Sequence, residues 1–311
     1  MKFLMGILFA LLAMPVVYAD DASRSATELV NAIRITCSGI SDEISQVSKV
    51  SKANTVVTAV GTAASGGALA AGIAKSKEDK EIEQLVKQIC DAGGCTPEGV
   101  KAMSLENFFN NVMGPMAQIA ELQKKLERSK KLGNWRTGLM AGTIGTNLAS
   151  AIISGVNADQ SDLIQHIEAC NTMIESAKNF SGKFADNDIN PIQKKLYDIK
   201  TWCSPINTRD VEKIEKRMKG VMGTSIAGVV IGGVGTATSA AANSDKYMNV
   251  NNKLALSEED KQKEKRLNKT ANVMAGANVA TGLVETGLNI SLIKLTKYLM
   301  TTAEQCENIL Q

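Results

Sequence analysis

The chain has 311 residues, with 35 Lys and Arg against 32 Asp and Glu, a net charge of +3, one His and six Cys. So even a balance leaves no basic footprint for nucleic acid and no polyanion-binding surface by bulk charge. Five Pro, and no sustained alternation of Val, Ile and Tyr with polar residues, leave strands without a signal, so the chain reads as all-α.

The N-terminus reads as an export signal. Lys2 is followed by an uncharged apolar run from Phe3 to Pro15, and Val17-Tyr18-Ala19 sets small residues where a signal peptidase cuts. Residues 1–19 are therefore expected to be a cleaved signal peptide of bacterial type, with Asp20 and Asp21 opening the mature chain. Export makes disulfides, rather than free thiols, the default state of the cysteines.

Four stretches nearly free of charge organise the rest: 53–74, 137–158, 220–244 and 271–293. Each mixes Gly, Ala, Ser and Thr with Val, Ile, Leu and Met, and each follows a basic, helix-compatible run such as Glu121 to Lys131 or Asp210 to Lys219. Small residues recur every four positions, as at Gly220, Thr224, Gly228 and Gly232, or at Gly138, Gly142, Thr146 and Ser150. That step keeps small side chains near one helix face, where a neighbouring backbone can approach closely. Gly66, Gly67, Gly138, Gly142, Gly228, Gly232 and Gly276 are the expected packing positions. The helices should run for about 45–55 residues, or roughly 70–80 Å. Breaks are expected at Asp91–Pro97, Gly114–Pro115, Ser181–Pro191, Cys203–Pro205 and Asn249–Ser257, the last with Ser257 as N-cap before Glu258, Glu259 and Asp260.

Sliding the chain by 166 positions sets Cys37-Ser38 on Cys203-Ser204, Thr58 on Thr224 and Gly66-Gly67 on Gly232-Gly233. Further on the register slips, and Met140-Ala141-Gly142 meets Met274-Ala275-Gly276 while Cys170 meets Cys306. The expected architecture is two repeated antiparallel hairpins of long helices packed through Gly/Ala/Ser faces. The first unit would be 20–180, with a disulfide loop at 90–95; 181–190 would link it to a second unit, 191–311. Cysteines at matched distances from the small-residue centres favour Cys37–Cys170, Cys203–Cys306 and Cys90–Cys95. Cys170–Cys203 with Cys37–Cys306 stays open as the rival, since spacing alone does not choose among the pairings of six cysteines.

Catalytic chemistry finds no foothold. His166 sits on a polar helix between Gln165 and Glu168 and reads as a solvated residue. Gly232-Gly233-Val234-Gly235 lacks the strand and the full fingerprint of a dinucleotide site, and no metal-ligand spacing or nucleophile elbow is present. Glu285, alone among uncharged neighbours, shares a face with Thr281 and Asn289 and reads as part of a solvent-facing stripe. No catalytic, cofactor or metal site is expected, and the chain reads as non-enzymatic.

Two functions are left. One is an exported helical structural or interaction protein of the bacterial envelope or exterior, periplasmic or secreted, engaging a protein partner or itself and no nucleic acid. The alternative is a membrane-active or pore-forming protein that inserts its Gly/Ala-rich stretches. Each stretch exceeds twenty residues, and Trp135, Tyr247 and Tyr298 flank the ends. Against insertion, Thr, Ser, Gly and Asn dilute the stretches, and basic runs precede all four. Spanning would also put Cys90 and Cys95 opposite the other four cysteines. The soluble reading is the one the sequence favours.

Overall fold

The computed structural model describes residues 19–91, 113–181 and 191–311, and among these there is no strand. The signal-peptide residues 1–18, Cys95 of the 90–95 loop and residues 182–190 of the linker lie outside the described residues. The helices are α1 Ala19–Cys37, α2 Ile40–Asp91, α3 Met113–Val156, α4 Ser161–Ser181, α5 Pro191–Cys203, α6 Thr208–Ala242, α7 Asp245–Met248, α8 Val250–Leu254 and α9 Glu258–Leu310.

Helix ends follow local chemistry. Gly39 takes a φ of 85°, the left-handed conformation that only glycine adopts freely, and it separates α1 from α2. Pro115 falls in the first turn of α3 rather than breaking it, because a first-turn N–H has no helical partner to lose. The Ser257 hydroxyl accepts from the Asp260 amide at 3.1 Å, capping α9. With 52 residues α2 and with 53 α9 reach the expected length; α3 has 44 and α6 only 35. The breaks at Asn157–Gln160 and after Ala242 had no Pro to announce them.

The chain divides into two compact units, each drawing on both halves of the sequence. The first comprises Met1–Lys49, Asp159–Glu215 and Ile293–Gln311. Here α1, α4 and α5 pack on one another around an ordinary apolar core that includes Ile33, Ile44, Ile167, Leu196, Ile214 and Leu299. Two disulfides lie within that core: Cys37–Cys170, with Cα atoms 4.9 Å apart, and Cys203–Cys306, at 4.8 Å. His166 is only a quarter exposed, held 2.9 Å from the Glu43 carboxylate and 2.9 Å from the Thr36 carbonyl. It is a structural link between helices and not the solvated residue its neighbours suggest.

The second unit, Val50–Ala158 and Lys216–Leu292, is a bundle of four long helical segments drawn from α2, α3, α6 and α9. Successive segments run antiparallel: Asn54 meets Ser154 while Ser65 meets Thr143, and Ser225 of α6 meets Glu285 of α9. Buried positions on α2 step through Ser51, Asn54, Thr58, Gly61, Ser65, Ala68, Gly72 and Lys75. These alternating steps of three and four average 3.5 residues, the period of helices that wrap left-handedly round one another.

Candidate functional site

The polarity of the bundle reverses along its length. Toward one end its interior is conventional: Ile82, Leu85, Ile89, Leu122, Leu126 and Tyr247 form an apolar cluster, and the outward face carries Lys77, Lys80, Glu83, Lys124 and Arg128. Ion pairs Lys125–Glu81 at 2.7 Å and Lys265–Glu83 at 2.7 Å belong to this charged surface. Over the four charge-free stretches the arrangement inverts. Ser51, Asn54, Thr58, Ser65, Thr143, Asn147, Ser150, Ser154, Ser225, Asn278 and Asn289 turn inward. Met140, Val221 and Leu292 stay buried, but many large apolar side chains turn out: Val56, Val60, Leu148, Ile152, Val230 and Leu283 are each more than half exposed, and Val156 is 77% exposed.

Hydrogen bonds organise the polar interior in layers. Asn54 donates to Ser154 Oγ at 2.9 Å and to Asn289 Oδ1 at 3.3 Å. One turn on, the Glu285 carboxylate, 1% exposed, accepts from Thr58 at 3.0 Å, from Ser225 at 2.7 Å and from Ser150. Ser65 and Thr143 pair at 3.2 Å. Other hydroxyls bond back to carbonyls of their own helices, as Thr62 does to Thr58 at 2.9 Å and Thr143 to Leu139 at 3.0 Å. Back-bonding satisfies a hydroxyl without water. Glu285 and Asn289 therefore belong to the core and not to a solvent-facing stripe.

A second polar layer closes the band where the interior turns apolar. The buried Arg136 guanidinium donates to Ser239 at 2.8 Å, to Asn272 at 3.0 Å and to Asn268 at 2.9 Å. Asp79 accepts from Lys75 at 2.7 Å, from Ser129 at 2.6 Å and from Asn268 at 3.1 Å. Beyond it Lys253 and Glu264 form a buried ion pair at 2.6 Å. Burial pushes the Glu264 carboxyl above its ordinary range, and Lys253 opposes that shift. A groove of about 640 Å³ runs past these residues and includes Lys80, Glu83 and Lys269 in its lining.

The expected packing glycines distribute unevenly. Gly228 and Gly232 are buried in close packing, the first against Asn147 and the second against Ile144 and Asn278, and Gly67 faces Leu139. Gly66, Gly138, Gly142 and Gly276 face open space, where an added Cβ would meet nothing within 4 Å. Approaches as tight as that at Gly228 occur at glycines outside the expected set: Gly61 against Thr146, Gly72 against Asn272, Gly235 against Met140 and Gly282 against Thr62. Gly142→Ala is accordingly expected to stabilise the bundle by about 0.5–1 kcal/mol through helix propensity alone. Gly282→Ala should cost about 1–3 kcal/mol, since its Cβ would press on the Thr62 side chain and lie 3.4 Å from the Thr62 Cα. Denaturant unfolding of the two variants checks this; equal effects would mean the interior row is misplaced.

Sequence reasoning found the four stretches, and it missed that their polar side faces inward. The buried run from Asn54 to Ser65 was the available signal, since a row of Asn, Ser, Thr and Gly at a 3.5-residue period marks a facing seam as clearly as an apolar one. Two disulfides point to an oxidising environment. Among the described residues, Arg24–Asp91, Ala117–Asn179 and Pro191–Ala242 contain helix long and apolar enough to cross a membrane by length and composition, with 28%, 33% and 28% of their apolar windows buried. No protein-family model, no curated protein and no solved structure matches this chain.

Proposed function

We propose that the protein is exported, oxidised, and then placed in a lipid bilayer through the nearly charge-free band of its four-helix bundle, acting there as a membrane-active, non-enzymatic protein. The observation that carries this reading is the inversion of polarity within single helices. On α2, Val56, Val60 and Ile73 face outward where the interior is polar, and Lys77, Lys80 and Glu83 face outward where the interior is Ile82 and Leu85. Water rewards the second arrangement and penalises the first; hydrocarbon does the reverse.

The dimensions agree. The 22-residue stretch 53–74 rises about 33 Å at 1.5 Å per residue, against a hydrocarbon core of about 30 Å. Trp135, 68% exposed, sits at one edge of the band, and lysines flank both edges, Lys52 and Lys219 at one and Lys77 and Lys131 at the other. The dilution by Ser, Thr and Asn that weakens the hydropathy of the stretches is reduced on the outward face, because Asn54, Thr58, Ser65, Thr143, Ser150, Ser225 and Asn289 are buried in the interior. Disulfides formed before insertion remove the difficulty of cysteines on opposite sides of a membrane.

A second reading keeps the protein soluble in the periplasm or outside the cell, with the apolar band covered by a protein partner or by further copies. Its support is the folded apolar core and disulfides of the first unit, which need no lipid. Flotation of the purified, non-reduced protein with phospholipid vesicles, followed by carbonate washing, separates the two. Retention with the vesicles is expected; a protein that stays in the aqueous fraction as a defined oligomer overturns the bilayer reading.

A further inference from the structure

We propose that Glu285, with the hydroxyls of Thr58, Ser150 and Ser225, binds a single dehydrated alkali cation in the bundle core. The site belongs to the bundle itself and stands whether or not the band meets a bilayer.

The carboxylate is buried at 1% exposure, and its hydrogen-bond donors are neutral hydroxyls from three other helices, Thr58 on α2, Ser150 on α3 and Ser225 on α6. None of these three donors brings a positive charge. No Lys, Arg or His occurs in 53–74, 137–158, 220–244 or 271–293, so none of the groups facing Glu285 titrates or balances it from within the band. A carboxylate buried without a countercharge is costly, and a bound cation relieves that cost.

The surroundings favour a metal cation. Three hydroxyl oxygens contact Glu285; one turn away Asn289 donates its Nδ2 to the Thr58 hydroxyl at 3.3 Å, and its Oδ1 accepts from Asn54. Asn54 is 3% exposed, and its Oδ1 has no hydrogen-bond partner, which leaves a spare acceptor in the core beside the carboxylate layer. Hard oxygen donors suit alkali and alkaline-earth ions over softer metals. One carboxylate balances one charge; a divalent ion would leave a net positive charge with no second carboxylate in the band to meet it.

Equilibrium dialysis of the full-length, non-reduced protein against radiolabelled sodium, with choline chloride holding ionic strength constant, tests the site. Saturable binding approaching one ion per chain is expected. Glu285→Gln should abolish it. Ser225→Ala and Thr58→Val, which remove single ligands and keep the carboxylate, should each weaken binding by at least about tenfold while the helical circular dichroism spectrum is retained. Absence of saturable sodium binding by the wild-type protein overturns the proposal, as does unchanged affinity in Ser225→Ala and Thr58→Val together. Failure of the bilayer reading looks different: sodium binding persists in a protein that does not float with vesicles.

Discussion

Lysine placed at Val60, Leu148 and Leu283 is expected to abolish vesicle association while leaving the bundle folded in water or mild detergent. These side chains are 57%, 51% and 61% exposed, and they lie next to Gly61, Asn147 and Gly282, which pack together at one level of the core. At the centre of a bilayer each lysine costs about 2.5–3.5 kcal/mol, so three together remove a large share of the insertion free energy. On a water-facing helix the same replacements fall within about 0.5 kcal/mol of neutral and improve solubility. The two readings therefore predict opposite behaviour from one variant. Flotation measures the association and circular dichroism the fold. A triple-lysine protein that floats like the wild type, or a wild type that never floats, rules out the bilayer.

The second large effect concerns the first unit. Cys37–Cys170 spans 133 residues and Cys203–Cys306 spans 103. In the chain-entropy picture, loops of this length are worth about 5 kcal/mol each to the folded state, since the cross-link removes conformations from the unfolded chain. Whole domains are stable by only about 5–15 kcal/mol. Cys37→Ala with Cys170→Ala is expected to lower denaturant stability by about 5 kcal/mol. Removing both pairs should leave the helices packed around Ile167 and Ile199 open to proteolysis. Peptide mapping without reduction comes first: fragments joined 37 to 170 and 203 to 306 are expected, and a 170–203 linkage would refute this pairing.

The register of the core shows where reading the sequence stops short. A four-residue step turns a helix through 400°, so a row of small residues drifts by about 40° at every step. Packed helices follow a period nearer 3.5. Gly138 and Gly142, which begin the row on α3, therefore face outward, and Ser150 and Ser154 further along it have drifted into the core. Sliding by 166 sets Thr58 against Thr224, but the buried partner of Glu285 on α6 is the next residue, Ser225. Glu285 itself was legible as one charge amid apolar neighbours. Its periodicity with Asn289 identifies a polar stripe and is silent on which side of the helix water occupies.

What the sequence determined by itself follows from rules within one helix. Proline and glycine punctuation, the absence of alternating patterns, the Ser257 cap and the charge-free stretches are local, so helix, helix ends and band were readable in order. Which face turns inward is decided by what the other three helices present to it. Polar rows meet polar rows here, because hydroxyl, amide and carboxylate groups satisfy one another across four helices in a way no single stretch can reveal. Only the assembled bundle put Glu285 among three hydroxyls and turned Val60, Leu148 and Leu283 outward.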